Sequence, residues 1–238
     1  LDLSTGSVCE LATTAGVQIG LSYPAASGTV SAVTLLLDGV AASTYDFSVA
    51  SYDNKSLDTS SQQSNPLAIQ ISEDGTKFYV AGSTGDEMHQ YTLSTPYDIT
   101  SATYENVSFD HSSENGTIQG IRFANDPTDT TTYGKRMYLL GTATSKVVIQ
   151  YTLSTAWDIS TATFDSPTFS VATQISGTPR SLSFSADGSS FFVLEESDDV
   201  IYQYDMTTAW DLSTASYASK SLDVTAQETI PQGHSFNA

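Results

Sequence analysis

The chain has 238 residues, 39% hydrophobic and 11% aromatic, enough apolar material for a packed core. Eight Lys plus Arg against 27 Asp plus Glu leave a net charge of -19, which repels nucleic acid and anionic lipid headgroups, so neither partner is expected. No run of 18 apolar residues occurs, so no membrane-spanning helix is expected, and with only 15% of residues charged the surface is a Ser, Thr, Asn and Gln coat with an acidic bias, suited to salty water outside a cell.

Leu1-Asp2-Leu3-Ser4 has neither the basic start nor the apolar stretch of a signal peptide and reads as the trimmed end of a longer chain. Residues 1–40 carry an alternating run Val17-Gln18-Ile19-Gly20-Leu21, a turn through Pro24 to Thr29 and an apolar strand Val33-Thr34-Leu35-Leu36-Leu37. They read as a small N-terminal β module, too small to bury a core alone, which should dock on the rest of the chain or trimerise with copies of itself. The single cysteine, Cys9, excludes an intrachain disulfide and is expected as a buried apolar side chain, having no His near it in sequence.

Beyond residue 40 the chain is an array. Gln-Tyr-Thr-Leu-Ser-Thr-Ala-Trp-Asp-Ile-Ser-Thr-Ala at 150–162 has close copies at 90–102 and 203–215. A weaker copy places Tyr45-Asp46 where the others have Tyr97-Asp98, Trp157-Asp158 and Trp210-Asp211, giving spacings of 52, 60 and 53 residues. That period is expected of a propeller blade of four short strands. The units are a partial blade at 41–64, blades at 65–115, 116–176 and 177–229, and the start of a further blade at 230–238. The parent protein is accordingly expected to have four or more blades.

In the last full unit Arg180–Ser185, Ser190–Leu194, Val200–Met206 and Ser216–Val224 read as strands, with Ala186-Asp187-Gly188 as the first hairpin turn. The second unit replaces that turn with an insertion, Asn125 to Gly134, which explains its longer spacing. No apolar stripe of helical period occurs, and Val, Ile, Thr, Tyr and Phe fill the runs between Gly, Asp and Ser clusters. The fold class is therefore all-β, a β-propeller-like array with a small N-terminal β module. The recurrent Tyr or Trp should pack between adjacent sheets, and the Asp after it should satisfy backbone donors at the turn into the fourth strand.

Chemistry-bearing motifs are sparse, and no catalytic, cofactor-binding or metal-ligating residue is assigned. His89, His111 and His234 sit at different repeat positions without metal-ligand spacing and are expected as surface or loop imidazoles. Acidic groups gather at Asp86-Glu87 and at Glu195-Glu196-Ser197-Asp198-Asp199, corresponding loops between the second and third strands. Calcium suits such oxygen ligands, but a solvated acidic loop is the plainer reading. Asn54, Asn106 and Asn115 head glycosylation sequons of the kind a Ser- and Thr-rich chain produces by chance. The innermost strands offer chiefly Ser, Thr, Ile and Phe, unlike the converging His, Asp, Asn or Glu of a metal-dependent propeller hydrolase.

The Asp-Leu-Ser-Thr-Gly start, the Pro-Ala-Ala-Ser-Gly-Thr turn and the Thr-Leu-Leu-Leu strand resemble a module of structural and fibre proteins of marine tailed bacteriophages. In those proteins repeats similar to Asp-Gly-Thr-Lys-Phe-Tyr-Val-Ala-Gly, as at 74–82, and Tyr-Thr-Leu-Ser-Thr-Ala-Trp-Asp-Ile-Ser-Thr-Ala, as at 151–162, often follow. The resemblance implies a virion location and a non-enzymatic fibre, tail or capsid-decorating appendage whose repeats face host receptor or medium. Its implied partners are other virion proteins, copies of itself as a trimer or larger assembly, and a host-surface glycan or protein, with no cofactor. The alternatives are a secreted or cell-surface bacterial adhesin built on the same repeats and, more remotely, the metal-dependent propeller hydrolase.

Overall fold

The computed structural model describes residues 51–143 and 145–235. The chain divides into two compact units, Leu1–Asp53 and Asn54–Ala238. The expected N-terminal module, Cys9, the front of the partial blade and the last three residues of the 230–238 segment lie outside the described residues.

The second unit is all-β and holds three four-stranded antiparallel sheets, each a meander in sequence order. The first blade comprises β1 (Pro66–Ile71), β2 (Lys77–Gly82), β3 (Glu87–Leu93) and β4 (Ala102–Asp110). The second comprises β5 (Ile118–Phe123), β6 (Arg136–Gly141), β7 (Val147–Leu153) and β8 (Ala162–Ser170). The third comprises β9 (Pro179–Phe184), β10 (Ser190–Glu195), β11 (Val200–Met206) and β12 (Ala215–Asp223), each end within one residue of the sequence reading. The first strands of successive blades lie side by side, β1 against β5 and β5 against β9, and form the inner surface of a propeller-like array.

Period-two alternation gives each sheet two apolar faces. Met137 and Leu139 of β6 join Tyr79, Ala81 and Met88 of the first blade in one core, while Tyr138 and Leu140 join Phe191, Val193 and Tyr204 of the third in another. Leu57, ahead of the first blade, packs on Phe78, Val80 and Tyr91 much as Phe109 and Phe169 pack on the blades that follow them.

The corner between the third and fourth strands holds the seams together. Tyr97, Trp157 and Trp210 have φ of 60°, 64° and 60°, the left-handed region that costs an ordinary residue about 1–2 kcal/mol. The next residue, Asp98, Asp158 or Asp211, caps a single 3-10 turn by accepting the N–H two residues on, at 3.1, 3.0 and 3.0 Å. The aromatic N–H donates to the carbonyl of the first-hairpin glycine, Gly75, Gly134 or Gly188, at 2.9, 2.8 and 3.0 Å, and the ring lies on that glycine. A Cβ built on Gly188 would stand 2.2 Å from the Trp210 ring, and Gly188 itself has φ of 67°.

The preceding blade clasps this corner. Tyr79 Oη donates to the Trp157 carbonyl at 2.6 Å, and Tyr138 Oη to that of Trp210 at 2.5 Å. Gln90 Oε1 accepts the Ile159 N–H at 3.0 Å, and Gln150 Oε1 accepts the Leu212 N–H at 2.8 Å. Each amide is oriented at its other end, where Nε2 donates to Glu105 at 3.0 Å or to Asp165 at 2.9 Å. The expectation that the aromatic lies between sheets holds for Trp210, 1% exposed and in the shared core, and in part for Trp157. Tyr97 is 60% exposed, because no blade precedes the first among the described residues.

Two pairs of substitutions separate these contributions. Gly188→Ala should lose about 3 kcal/mol in urea unfolding, because backbone strain adds to displacement of the indole. Gly85→Ala, also at positive φ but facing open space, should lose only about 1 kcal/mol. Gln150→Leu should cost about 1–3 kcal/mol by stranding the buried Leu212 N–H, and Gln203→Leu, at the same position of the third blade, less than about 0.5 kcal/mol.

Candidate ligand cleft on the inner strands

The next-to-last position of the innermost strand is polar in every copy: Gln70 in β1, Arg122 in β5 and Ser183 in β9. Ser235 takes the corresponding place in the segment that opens at Pro231. All four line a cleft of about 400 Å³, together with Ile69, Ile71, Phe123, Phe184 and Trp157. Two positions earlier the residues are small, Ala68, Gly120 and Ser181. A Cβ on Gly120 would come within 3.2 Å of Leu182 Cβ, so the small side chain lets the inner strands approach.

Arg122 is the unusual member of this ring. Its NH1 donates to Gln70 Oε1 at 3.1 Å and to the Ile121 carbonyl at 2.7 Å. Burial alone pushes its guanidinium below the ordinary arginine range, and no carboxylate pairs with it among the described residues. Arg180, on a second cleft of about 220 Å³ that Arg122 also lines, is compensated by Glu196, to which its Nε donates at 2.5 Å. Glu196 accepts in addition from Gln232 at 3.2 Å.

The histidines are not surface groups. His89 is 5% exposed and His111 fully buried, and burial pushes both imidazoles below their ordinary pKa. His234 is held between two serine hydroxyls, Ser181 Oγ at 2.6 Å from Nδ1 and Ser183 Oγ at 2.7 Å from Nε2. Burial first, then the Arg122 charge, lowers it to about 4. The repeat explains all three. His89 stands where the other blades have Ile149 and Tyr202, His111 where they have Val171 and Val224, and His234 where the inner strands have Ile69, Ile121 and Leu182. Each occupies a slot the array reserves for an apolar side chain.

The acidic loops correspond as expected, with Asp86 and Asp199 both at φ of 54°. The second blade puts Lys146 there, whose ammonium donates to the carbonyls of Ile175, at 3.1 Å, and Ser176. In the third blade Glu195 Oε1 and Asp199 Oδ1 are buried with no hydrogen-bond partner among the described residues. The Asp199 carboxyl is pushed up by burial and then by Asp223, Glu195, Glu228 and Asp198. Among the described residues no group of three or more His, Cys, Asp or Glu is arranged to hold a metal ion. Asn115 of the third sequon is buried and holds the Ser145 carbonyl at 2.9 Å, a place no glycan could reach.

The inner ring was missed in sequence because its members are scattered among residue types. Aligning the inner strands column by column, instead of searching for catalytic motifs, exposes it.

No protein-family model and no curated protein matches the chain. Among solved structures it is similar to a functionally unknown protein from Desulfotomaculum acetoxidans, with TM-score 0.47 and 15% identity over 67% of this chain and 42% of that one. A protein from Bacteroides fragilis described as a candidate 6-phosphogluconolactonase gives TM-score 0.47 and 14% identity over 66% and 39%. The Cps50 (Swd1) beta-propeller domain of Myceliophteria thermophila gives 0.42 and 15% over 66% and 41%. The chain thus spans about two fifths of the length of these proteins.

The folded protein holds His234 neutral, so between pH 6.5 and about 4 the released segment takes up a proton that the docked segment refuses. Docking of residues 231–235 should be complete above pH 6.5 and weaken as the pH falls toward 4. The protection factor of the His234 amide, which donates to Ser181 Oγ at 3.1 Å, should fall across this range relative to the intrinsic exchange rate at each pH, and His234→Gln should abolish that fall.

Proposed function

We propose that the chain is a non-enzymatic structural segment of a tailed-phage virion, a fibre, tail or capsid-decorating appendage whose corner rim and inner cleft face the host surface or the medium. One observation carries the recognition part. The lengthened first hairpin, the element that departs most from the blade rhythm, stands at the mouth of the cleft: Asn125, its first residue, lines the cleft, and Tyr133 packs edge-on against Trp157 at 5.4 Å between ring centres. Loops carried by a rigid scaffold are where binding specificity is usually placed.

The virion assignment is supported by the likeness of the repeats to marine phage structural proteins and by a surface coat of hydroxyl and amide side chains with a net charge of -19, which disfavours nucleic acid and anionic membranes. Among the described residues no helix is long and apolar enough to cross a membrane. Interlocked blades make a stiff element whose partners are other virion proteins, further copies of the chain, or a host-surface glycan or protein. Antibody raised against the chain and imaged on purified particles should label one part of the virion. Labelling confined to bacterial surfaces or culture medium would favour a secreted adhesin and overturn the assignment.

A further inference from the structure

We propose that the inner cleft binds an acidic saccharide, a sugar bearing a carboxylate or sulfate, with the anion on the Arg122 guanidinium. The proposal rests on reading the cleft as a recognition surface and adds the chemistry of what is recognised.

The charge comes first. A cation taken out of water needs an opposite charge, and protein chains normally supply one. This chain has 27 carboxylate side chains against eight Lys and Arg, and the ion pairs of Lys77, Arg136 and Arg180 show them in use. Among the described residues Arg122 has none, only neutral oxygens on NH1. Its Nε and NH2 donors have no protein acceptor among the described residues, yet neither is sealed off from solvent without a partner. Guanidinium donors left open on a cleft are the arrangement that takes a carboxylate or sulfate in a forked geometry.

The rest of the lining indicates a sugar as the carrier. Amide and hydroxyl groups of Gln70, Asn125, Ser183 and Ser235 suit hydroxyl partners, and Trp157 and Phe184 add aromatic surface to the lining for the apolar part of a pyranose ring. A volume of about 400 Å³ lies within the range of small-ligand sites, roughly 300–1,000 Å³. Glu73 also lines the cleft and repels an anion, so the ligand's charge has to be taken by the Arg122 guanidinium. His234 brings no charge at neutral pH. With a net charge of -19 the whole molecule repels anions at long range, so recognition depends on the short-range fork.

The test titrates the intact chain with glucuronate against glucose, galactose 6-sulfate against galactose, and acetate alone, following the Arg122 Nε–Hε signal by NMR. At least one acidic sugar should bind tenfold or more tightly than its neutral twin and move that signal. Acetate should bind at least tenfold more weakly than the acidic sugar, and Arg122→Gln should bring the acidic sugar to the level of the neutral one. Comparing the two acidic sugars tells carboxylate from sulfate. Equal binding of acidic and neutral sugars, acetate as good as the sugar, or an unmoved Arg122 signal in the wild-type chain would overturn the proposal, and the last result does not depend on whether the variant folds. Because the titration uses the isolated chain, it can fail while virion labelling succeeds, and the reverse.

Discussion

The array depends on an aromatic residue held in a left-handed backbone conformation. Trp157 and Trp210 would not adopt φ near +60° by themselves. They are kept there by four partners: a turn glycine beneath the ring, an aspartate capping the following 3-10 turn, and a tyrosine and a glutamine reaching across from the preceding blade. The glycine and aspartate belong to the same blade, and among the described residues Tyr97 keeps φ of 60° with these alone; at Trp157 and Trp210 the neighbouring blade adds its tyrosine and glutamine, so the seam is a hydrogen-bond pattern as well as an apolar contact. The glutamine is polarised, with its N–H end tied to a carboxylate and its oxygen aimed at the next blade. In the third blade the carboxylate has moved. Ala218 stands where Glu105 and Asp165 stand, and Asp205 on β11 takes over, accepting from Gln203 at 2.8 Å. The anchor is retained while its source in the chain changes.

A fold specified this tightly at its seams leaves few positions free to vary. The corners, the first-hairpin glycines and the alternating apolar columns are committed to packing. Freedom remains in the loops and in the polar column of the inner strands, which holds Gln70, Arg122 and then two serines, Ser183 and Ser235. Histidine enters even the apolar columns at His89, His111 and His234, where neutral imidazoles substitute for aliphatic or aromatic groups. A repeat protein acquires function in this way, by varying columns that stacking does not use.

The architecture was legible because the repeat encodes it redundantly: the Trp-Asp corners, the Asp-Gly turns and the strand alternation all mark the same boundaries. The aspartate caps were readable for the same reason, since a side chain bonding its own backbone is a local event. Side-chain environment was not. A histidine in an unusual column looks like a loop residue in one dimension, and only alignment with Val171 or Ile149 shows that its slot is buried. Arg122 reads as an ordinary strand cation until three dimensions show no carboxylate partner for it among the described residues. The tyrosine and glutamine clasps join residues 62 to 78 positions apart, beyond what local pattern can pair.

Coupling between blades across the corner is tested most directly by unfolding followed from two sites. Fluorotryptophan incorporated at both positions, followed by 19F NMR at Trp157 in the second blade and Trp210 in the third, should give coincident urea transitions when the clasp is intact. With Tyr138→Phe and Gln150→Leu together, the Trp210 transition should move to lower urea and separate from that of Trp157. Coincident transitions in the clasp variant, at an unchanged midpoint, would contradict the account.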